Sequence, residues 1–599
     1  MQIWRAVRTL PSWTIPAIIG VLIILVPFLG LDYAQVRQIE LALVLSLVTS
    51  GLNLSLGYAG ELALGQAAMY AAGAYAGARL SVSGHTDLLL QLVVAAAVAL
   101  VVGLVTGIPG LRLGSWSLAM TSFFLILIVP DVLSMFPDQT GGRNGLVGIQ
   151  PPTVFGQALG ANGLAVAIGV VSVVWFWVMR NIVTSSFGTR FRILKQSPVL
   201  ASSMGIPVYR MKLLAYGLGS IPAGLGGALF ANIDLFVAPD SFDFHTVTTL
   251  LAASILGGST SVYGAAVGSF IMQFGPNQSN AFQQYSLIFS GAFLLVGGLL
   301  LKGGLARLGK LAVRRLDQSA HITPPDSIAP EVLPDPEPVA GSALVIEGVS
   351  KAFGGNRALS DVTFTAKPGH VTALIGPNGS GKTTLLNMVC GFYRADGGTI
   401  SLGGKPLPTR HPHEVARAGV SRTFQTPNIP EGMTVLEVVR SGRSARERVG
   451  LVPAVLRLPS YRRARESDRG EAWRLLELVG LEGHAADEAI SLPLGMRRLL
   501  EVARCLASGA GVLMLDEVAS GLDEHEVPRL TNIIRGIRDT GGTIVLVEHN
   551  FELIMGLADE VVALAHGQVI AHGNPSEVAA NEQVRREYLG AAASTVGQA

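Results

Sequence analysis

Residues 371–386 read VTALIGPNGSGKTTLL, and this stretch decides the fold of the part of the chain in which it lies. Val371 to Ile375 is a mostly apolar run typical of a buried strand, and the next residues match G-x-x-x-x-G-K-T before a helical pattern begins. A loop of this kind at a helix N-terminus binds phosphates, because its backbone N–H groups and the positive end of the helix dipole face the anion. The stretch therefore predicts an α/β domain with a phosphate-binding loop.

Each residue of this loop has an expected role around a nucleotide. We expect the Lys382 ammonium to reach the β- and γ-phosphates and the Thr383 hydroxyl to bind Mg²⁺. The predicted phosphate-binding residues are Gly376, Pro377, Asn378, Gly379, Ser380, Gly381, Lys382, Thr383 and Thr384.

Two further apolar strands end in polar residues. Gly511 to Leu515 is followed by Asp516 and Glu517, and the strand that ends at Val547 is followed by Glu548 and then His549. A carboxylate at a strand end can hold Mg²⁺, and the next can polarise an attacking water. We therefore expect Asp516 to bind the metal, Glu517 to activate water and His549 to contact the γ-phosphate. The alternative for Asp516 and Glu517 is a surface pair, but the aliphatic run before them favours the strand end.

The first half of the chain has a different composition from this domain. Residues 1–316 contain 26 charged side chains, whereas the remaining 283 residues contain 60. The whole chain is 49% hydrophobic and 14% charged, against about 25% charged residues in an average soluble protein. The formal net charge of +2 gives no sign of a nucleic-acid partner. The two cysteines exclude a disulfide framework and fit a reducing cytoplasm. From the difference in charge we predict a membrane part followed by a cytoplasmic part.

The first 316 residues are predicted to cross a membrane eight to ten times. A spanning helix needs about 20 mostly apolar residues. A further Gly- and Ala-rich stretch, Gly57 to Leu80, could span or re-enter, and the first apolar run could alternatively be a cleaved signal peptide. Basic clusters before the first span and after the last place both ends in the cytoplasm, so the number of crossings should be even. The predicted spans are Trp13–Leu31, Ile39–Leu56, Leu88–Ile108, Trp116–Phe136, Leu164–Met179, Leu213–Phe236, Thr246–Phe274 and Tyr285–Leu301.

We single out two carboxylates of the apolar region as candidate functional residues. Glu61 lies within a Gly-rich stretch, and Asp131 follows Pro130 near the end of another span. An ionisable side chain in a bilayer is costly and suggests a functional site. Glu61 is the better candidate for a substrate path, although either residue could lie at the membrane interface.

A proline-rich segment separates the two parts. Residues 317–342 read DQSAHITPPDSIAPEVLPDPEPVAGS, which has too few large apolar residues to form a core. The predicted domains are therefore a membrane domain at 1–316, a linker at 317–342, a soluble domain at 343–590 and a tail at 591–599.

The motifs of residues 343–590, in this order, resemble the nucleotide-binding domain of an ATP-binding-cassette (ABC) transporter. The resemblance implies ATP and Mg²⁺ as cofactors and ATP hydrolysis as the activity. It further implies that Phe353 stacks on adenine, that Gln425 senses both Mg²⁺ and the membrane domain, and that Ser520 to Asp523 contacts a second ATPase domain. His549 matches the switch histidine of the family.

Finer strings resemble one branch, the branched-chain amino acid importers. In the ATPase part they are RTFQ, the insertion from Gly450 to Arg469, LVEHN and the terminal YLG. In the membrane part they are GYAGELALGQAAMYAAGAY, TGGRNGLVGI, FGTRFRILKQ with MGIPVYRMKLLAY, and LGGSTSVYGAAVG, which are similar to the permease subunit of the same systems. The resemblance implies a fusion: a polytopic α-helical membrane domain followed by an α/β P-loop ABC ATPase domain.

Three positions depart from the family pattern. The signature segment, usually LSGGQ, reads LPLGM at 492–496, which leaves Gly495 and the start of the following helix to contact phosphate. Val518 replaces a proline, which we judge minor. The coupling loop carries Gln196, Ser197 and neighbouring uncharged residues where relatives often have acidic ones, so its docking should use other contacts.

The resemblance implies an importer subunit in the cytoplasmic (inner) membrane that takes up branched-chain amino acids. A urea, short-amide or other amino-acid importer is the main alternative, and an exporter is a weaker one because its loops would be longer. The implied partners are a second permease subunit, a second ABC ATPase subunit, an extracytoplasmic substrate-binding protein, an amino-acid substrate and membrane lipid. No nucleic acid is expected.

Overall fold

The chain folds into two compact units. The computed structural model describes residues 2–11, 13–275, 285–301, 303–331, 333–334, 339–446 and 449–589. The helical unit contains residues 1–195 and 209–322, and the ATPase unit contains residues 196–208 together with residues from 323 onward. The short segment 196–208 therefore belongs with the soluble part of the chain, although the sequence places it between two apolar helices.

The helical unit is built almost entirely of α-helices. Six helical stretches of the described residues are long and apolar enough to cross a membrane: Tyr33–Tyr58, Leu88–Arg112, Trp116–Ser134, Ala161–Thr184, Val208–Asp234 and Leu287–Ser319. The α-helices are α1 Gln2–Thr9, α2 Thr14–Leu25, α3 Tyr33–Leu52, α4 Gln66–Val82, α5 Leu88–Arg112, α6 Ser115–Ser134, α7 Pro137–Thr140, α8 Ala161–Thr184, α9 Ser186–Gln196, α10 Pro198–Ser203, α11 Val208–Asp234, α12 Phe244–Gly257, α13 Gly264–Phe274, α14 Ser286–Leu300 and α15 Gly304–Ser319. Of these, α10 lies in the ATPase unit.

Two stretches differ from the continuous spans that the apolar runs suggested. The predicted span Thr246–Phe274 is wrong as a single helix, because α12 ends at Gly257 and α13 begins at Gly264. Gly258 between them has a φ of +107°, a left-handed conformation that favours glycine. The stretch from Gly57 to Leu80 is also divided: its first residues lie outside any α-helix, and α4 begins only at Gln66.

The centre of the helical unit is packed through glycines. A Cβ atom added to Gly51 of α3 would lie 2.1 Å from the carbonyl oxygen of Gly219 in α11. A Cβ atom on Gly73 of α4 would lie 2.4 Å from the carbonyl oxygen of Gly224, again in α11. Small residues let the backbones of membrane helices approach closely. These two contacts bring α3 and α4 directly against α11.

The ATPase unit contains two sheets. A six-stranded sheet has the order β12-β11-β5-β10-β9-β8, in which only β12 is antiparallel to its neighbour, and a four-stranded antiparallel sheet has the order β4-β3-β6-β7. A short hairpin, β1 Thr153–Val154 and β2 Gln157–Ala158, belongs to the helical unit. The other strands are β3 Leu344–Phe353, β4 Asn356–Ala366, β5 Val371–Ile375, β6 Gly397–Leu402, β7 Lys405–Pro406, β8 Val420–Arg422, β9 Val512–Asp516, β10 Thr543–Val547, β11 Glu560–Ala565 and β12 Gln568–Gly573.

Helices follow the parallel strands and cover the sheet. They are α16 Lys382–Val389, α17 Pro412–Ala418, α18 Val435–Ser441, α19 Leu451–Val455, α20 Pro459–Val479, α21 Leu494–Ala507, α22 Glu526–Asp539, α23 Phe551–Leu557, α24 Pro575–Ala580 and α25 Glu582–Val584. Every residue of β5, β9 and β10 is buried, as expected for apolar strands in the middle of a parallel sheet. The predicted fold class, a helical membrane domain followed by an α/β P-loop ATPase domain, is confirmed.

Candidate nucleotide site

The predicted phosphate-binding loop lies between β5 and α16, as the sequence pattern indicates. Gly376, Gly379 and Gly381 have φ values of +151°, +81° and +105°, so the loop uses backbone conformations that side chains disfavour. At Gly376 a Cβ would also lie 2.1 Å from the Leu564 carbonyl oxygen. Only glycine fits at Gly376, because any side chain would meet the Leu564 backbone.

The Lys382 ammonium is held inside this loop. Its Nζ donates hydrogen bonds to the carbonyl oxygens of Gly376 at 2.6 Å and Pro377 at 3.0 Å. Burial lowers the pKa of Lys382, while the nearby carboxylates of Glu517 and Asp516 act to raise it. The cation is thus positioned by the loop and lies within the electrostatic reach of the two predicted catalytic and metal-binding carboxylates.

Glu517 stands at the carboxyl edge of the sheet in a strained conformation. Its backbone N–H donates to the Val547 carbonyl oxygen at 2.8 Å, which ties the ends of β9 and β10 together. Its φ is +50°, a left-handed value that is uncommon for a residue with a side chain. Strain of this kind persists where the surrounding structure fixes it, and it is concentrated at functional sites.

Three predicted site residues meet at the Glu517 carboxylate. Gln425 Nε2 donates to Glu517 Oε2 at 3.1 Å, and His549 Nε2 lies 3.1 Å from Glu517 Oε1. The side chain of Glu517 is 20% exposed and that of His549 is 46% exposed, so water can reach the cluster. Parallel strands bring Glu517 and His549 together, whereas Gln425 arrives from the loop after β8. The arrangement can orient a water molecule beside a phosphate.

Asp516 has a buried partner that the sequence motifs do not identify. Arg422, the last residue of β8, places Nη2 2.8 Å from Asp516 Oδ2, and both side chains are 4% exposed. Arg422 Nη1 also donates to Asn387 Oδ1 at 2.6 Å, and the Asp516 N–H donates to Thr423 Oγ1 at 2.9 Å. The pairing joins neighbouring parallel strands, β8 and β9, whose residues are far apart along the chain.

The site does not form a metal cage from protein ligands alone. No group of three or more His, Cys, Asp or Glu side chains suited to a metal ion occurs within the described ranges. Mg²⁺ commonly takes one or two protein oxygens, several waters and the phosphates of a nucleotide. The oxygen donors of Thr383, Gln425 and Asp516 fit that mode of binding.

Phe353 forms an aromatic pair at the end of β3. Its ring packs against Tyr393 with centroids 5.2 Å apart and an interplanar angle of 75°, and Lys351 Nζ lies 5.4 Å from the Phe353 centroid. Both rings are partly exposed, at 45% and 40%. Tyr393 was not identified from the sequence, because it follows α16 in a stretch with no motif of its own.

Gly495 lies against a carboxylate rather than in an open loop. A Cβ on Gly495 would lie 2.0 Å from Glu526 Oε2, so only glycine allows Glu526 to occupy this place. The same Oε2 accepts a hydrogen bond from the Asp523 N–H at 3.0 Å. Within the described residues, no hydrogen bond, ion pair or ring contact joins Phe353 or Gly495 to Glu517. Glu526 was also missed in the sequence.

The coupling loop docks through uncharged polar groups. Asn428 Nδ2 donates to Ser197 Oγ at 2.9 Å, and the Glu431 N–H donates to Gln196 Oε1 at 2.8 Å. Both partners follow Gln425 within six residues, on the same loop. The loop that carries Gln425 to Glu517 therefore also holds the segment that follows α9.

In the helical unit, Glu61 is paired with a lysine. Its Oε1 lies 2.5 Å from Lys212 Nζ, and the Glu61 side chain is 3% exposed. The Glu61 N–H donates to the Ser55 carbonyl oxygen at 2.9 Å. The pairing offsets the cost of a buried carboxylate and explains how an acidic residue is accommodated in an apolar stretch.

Known families match both units. A family described as "Branched-chain amino acid transport system / permease component" matches residues 36–297, and one described as "ABC transporter" matches residues 359–520. The high-affinity branched-chain amino acid transport ATP-binding protein LivG of Salmonella typhimurium (strain LT2) is 38% identical over 252 residues, which are 42% of this chain and 98% of LivG. BraF of Pseudomonas aeruginosa, with the same description, is 34% identical over 250 residues, which are 42% of this chain and 98% of BraF. A crystal structure of an ATP-binding cassette of an ABC transporter in its ADP conformation is 29% identical, covering 42% of this chain and 99% of that one, with a TM-score of 0.37.

Proposed function

Because this chain belongs to the branched-chain amino acid transport family of ABC transporters, as a permease and an ATP-binding protein fused in one polypeptide, we propose that it couples ATP hydrolysis to the uptake of branched-chain amino acids. It is a multi-pass membrane protein with a transporter ATPase at its C-terminal side. The proposed membrane is the cytoplasmic (inner) membrane, with the ATPase unit in the cytoplasm. The proposed domains are 1–316, 317–342 and 343–590, followed by a tail at 591–599.

The observation that carries the proposed mechanism is the cluster around the Glu517 carboxylate. A carboxylate that accepts from Gln425 and contacts His549, at a strand edge beside the phosphate-binding loop, is suited to take a proton from an attacking water. His549 would contact the γ-phosphate. The loop from Gly376 to Thr384 would bind the phosphates, with Lys382 supplying charge stabilisation. Phe353, together with Tyr393, would stack on the adenine.

Mg²⁺ is the proposed second cofactor. Thr383, Gln425 and Asp516 are the proposed protein ligands, directly or through water, and the ion would neutralise charge on the transferred phosphate. Because Arg422 already pairs with Asp516, we propose that Asp516 contributes through water and that Arg422 fixes its orientation.

The transporter is proposed to need three further proteins. One set of spans would line half of a pathway, and Gly495 would face the nucleotide of another ATPase, so a second permease subunit and a second ABC ATPase subunit are proposed. A substrate-binding protein outside the membrane would deliver the amino acid. We also propose that Glu61, as half of the pair with Lys212, lies beside the substrate path.

The test is uptake by the complete transporter in proteoliposomes. With ATP inside and the liganded binding protein outside, labelled leucine should accumulate and labelled urea should not. Uptake of urea in preference to leucine would overturn the proposed substrate. Hydrolysis that leucine stimulates in this chain alone, without any binding protein, would instead support an exporter.

A further inference from the structure

Between α3 and α4 the backbone leaves the α-helix in the middle of the helical unit. The α-helix ends at Leu52, residues Asn53–Tyr58 form a π-helical turn, and residues 59–65 belong to no helix before α4 begins. π-turns inside helices frequently mark functional sites. Non-helical backbone at membrane depth is tolerated where it is buried in protein or lines a polar path. The break therefore places non-helical backbone inside the unit, and part of it is already bonded, since the Glu61 N–H donates to the Ser55 carbonyl oxygen at 2.9 Å.

Gln66, the first residue of α4, lies at this break with an unpaired amide. The residue is 1% exposed, and neither its Nε2 nor its Oε1 has a hydrogen-bond partner among the residues that the structure describes. Its N-cap, Gly65, provides no side chain to bond the first N–H groups of α4. A buried amide without partners is unfavourable in a folded protein, so we expect a ligand to satisfy its hydrogen bonds.

Gln91 in α5 is a buried glutamine of the same unit with a structural role. It is fully buried, its Nε2 donates to the His85 carbonyl oxygen at 3.1 Å, and its Oε1 accepts from Asn232 Nδ2 at 2.9 Å. Both ends of its amide are therefore used. The two glutamines share burial and differ in partners, which makes Gln91 a matched control.

Hydrogen-bond acceptors from the broken helix lie next to the Gln66 amide, and two of them are already joined, since Ser55 Oγ donates to the Gly51 carbonyl oxygen at 3.4 Å. A Cβ on Gly219 would lie 3.2 Å from Gln66 Nε2, 3.0 Å from Ser55 Oγ and 2.6 Å from the Gly51 carbonyl oxygen. Gly219 is close to the midpoint of α11, which spans Val208–Asp234. An amide, a hydroxyl and a carbonyl oxygen are thus packed together near the middle of a long apolar helix, beside the residue that begins α4.

We propose that this place, the Gln66 site, binds the charged head group of an α-amino acid on its way through the membrane. The N-terminus of α4 and the Gln66 amide nitrogen supply donors for the carboxylate, since a helix N-terminus favours an anion. Gln66 Oε1, the Gly51 carbonyl oxygen and the Ser55 hydroxyl supply acceptors for the ammonium. A zwitterion needs both sets together, whereas a simple anion or an apolar solute needs only one or neither.

The surroundings suit an aliphatic side chain. Met69, one turn further along α4, is fully buried, and its Cε lies 3.3 Å from the position of a Cβ on Gly103 of α5; a flexible thioether adapts to apolar groups of different shape. Tyr216 Oη lies 3.1 Å from the position of a Cβ on Gly65, so an aromatic residue borders the site as well. The backbone contact between Gly51 and Gly219 closes the site in this conformation, and parting α3 from α11 would open it. The inference rests on the proposed amino-acid uptake and names where that substrate binds.

The test compares Gln66→Leu with Gln91→Leu in the transporter assembled in nanodiscs from its permease and ATPase subunits, without the substrate-binding protein, which would bind leucine itself. Binding of labelled leucine is measured directly, with leucinol, which lacks the carboxylate, and 4-methylpentanoate, which lacks the ammonium, as competitors. Gln66→Leu should weaken leucine binding roughly tenfold or more, because hydrogen bonds to charged groups are lost. Its thermal midpoint should stay the same or rise. Gln91→Leu should lower the midpoint and retain leucine affinity.

Three results would overturn the Gln66 site. One is leucine binding by Gln66→Leu at wild-type affinity. Another is a lowered midpoint in that variant with unchanged affinity, which would mean that the amide is structural and bonded to water. The third is competition by leucinol as strong as that by leucine. If wild-type transporter instead takes up no leucine in proteoliposomes with ATP and binding protein, the proposed function fails, and that result is separate from the comparison of the two glutamines.

Discussion

The candidate site residues of the two units differ in their partners: those of the ATPase unit bond to one another, whereas the Gln66 amide of the helical unit has no partner among the described residues. Asp516 is paired with Arg422, and Glu517 is shared by Gln425 and His549. In the helical unit Glu61 has Lys212, but both polar atoms of Gln66 are unbonded among the described residues. An α/β domain gathers polar groups at the ends of parallel strands. A helical membrane domain has no such edge, so its polar sites arise where a helix breaks.

The largest expected effect tests the strand-edge cluster. Glu517→Gln should reduce ATP turnover by about 10³-fold, because the general base is lost, while nucleotide binding is retained. Turnover and equilibrium ATP binding by the assembled transporter measure the two effects separately. Lys382→Ala should instead weaken binding, since its ammonium acts on the phosphates in the ground state as well. Wild-type turnover in the Glu517→Gln variant would remove Glu517 from the mechanism and leave the ATPase unit without a located base.

The second prediction tests the pairing beneath that cluster. Arg422→Met leaves Asp516 buried without a counter-ion and should cost about 3–5 kcal/mol of the free energy of unfolding. Lys367→Met is the matched control, because it breaks an ion pair with Glu560 whose lysine is 53% exposed, and it should cost about 0–1 kcal/mol. Amide hydrogen exchange in β9 measures both. Equal losses would mean that burial does not distinguish the two pairs.

The parts of this site that the sequence predicts are those that depend on neighbours along the chain. The phosphate-binding loop, Asp516, Glu517 and His549 each follow an apolar strand, so a local pattern locates them. Arg422, although part of the RTFQ string, was given no role, and Glu526 was missed. Each acquires its role from a residue distant in sequence: Arg422 from Asp516 on the neighbouring strand, and Glu526 from Gly495 near the start of another helix. No periodicity or spacing encodes such contacts.

In the helical unit, sequence patterns fail in a similar way, because they join two separate helices into one predicted span. Hydropathy identified most apolar stretches but gave one span for Thr246–Phe274, where glycines separate two helices. It also drew attention to Glu61, a charged residue in an apolar run, rather than to Gln66 five residues later. An uncharged amide barely changes hydropathy, and only the structure shows that its hydrogen bonds are missing.

A third, smaller effect concerns Glu526, which stands where the signature segment would meet the nucleotide of another ATPase. Its carboxylate should compete with the γ-phosphate for the N-terminus of α21. Glu526→Gln should therefore lower the KM for ATP of the assembled transporter roughly threefold, the size of a typical charge–dipole effect. Glu524→Gln, which removes an exposed carboxylate two residues before the start of α22, should leave KM unchanged. A KM that is unaltered in both variants would assign Glu526 to capping α22 alone.

The smallest expected effect is the pH dependence of the stability contributed by Glu548, a buried carboxylate directly after β10. Burial raises the pKa of Glu548 above its ordinary value of 4.5, although the N–H groups of Ala519 and His549 act to lower it. The folded state then binds the proton more tightly than the unfolded state, so stability from this residue is present below pH 4.5 and is lost as pH rises through the folded pKa. Glutamine does not ionise and keeps an oxygen for the Ala519 N–H, which donates to Glu548 Oε1 at 2.8 Å.

Glu548→Gln should therefore gain stability relative to wild type as pH rises from about 4 to 7, in the thermal midpoint of the ATPase unit. Glu560 gives the opposite sign. Burial acts to raise its pKa, but hydrogen bonds from Lys367 and His572 lower it overall, so its stabilisation is present above pH 4.5 and is lost as pH falls through the folded pKa. Glu560→Gln should then lose stability relative to wild type over the same rise in pH. If the stability of both variants changed in the same direction with pH, burial and ion pairing would not shift the pKa values of these two carboxylates in opposite directions. The contrast between paired and unpaired polar groups would then have no measurable effect on stability.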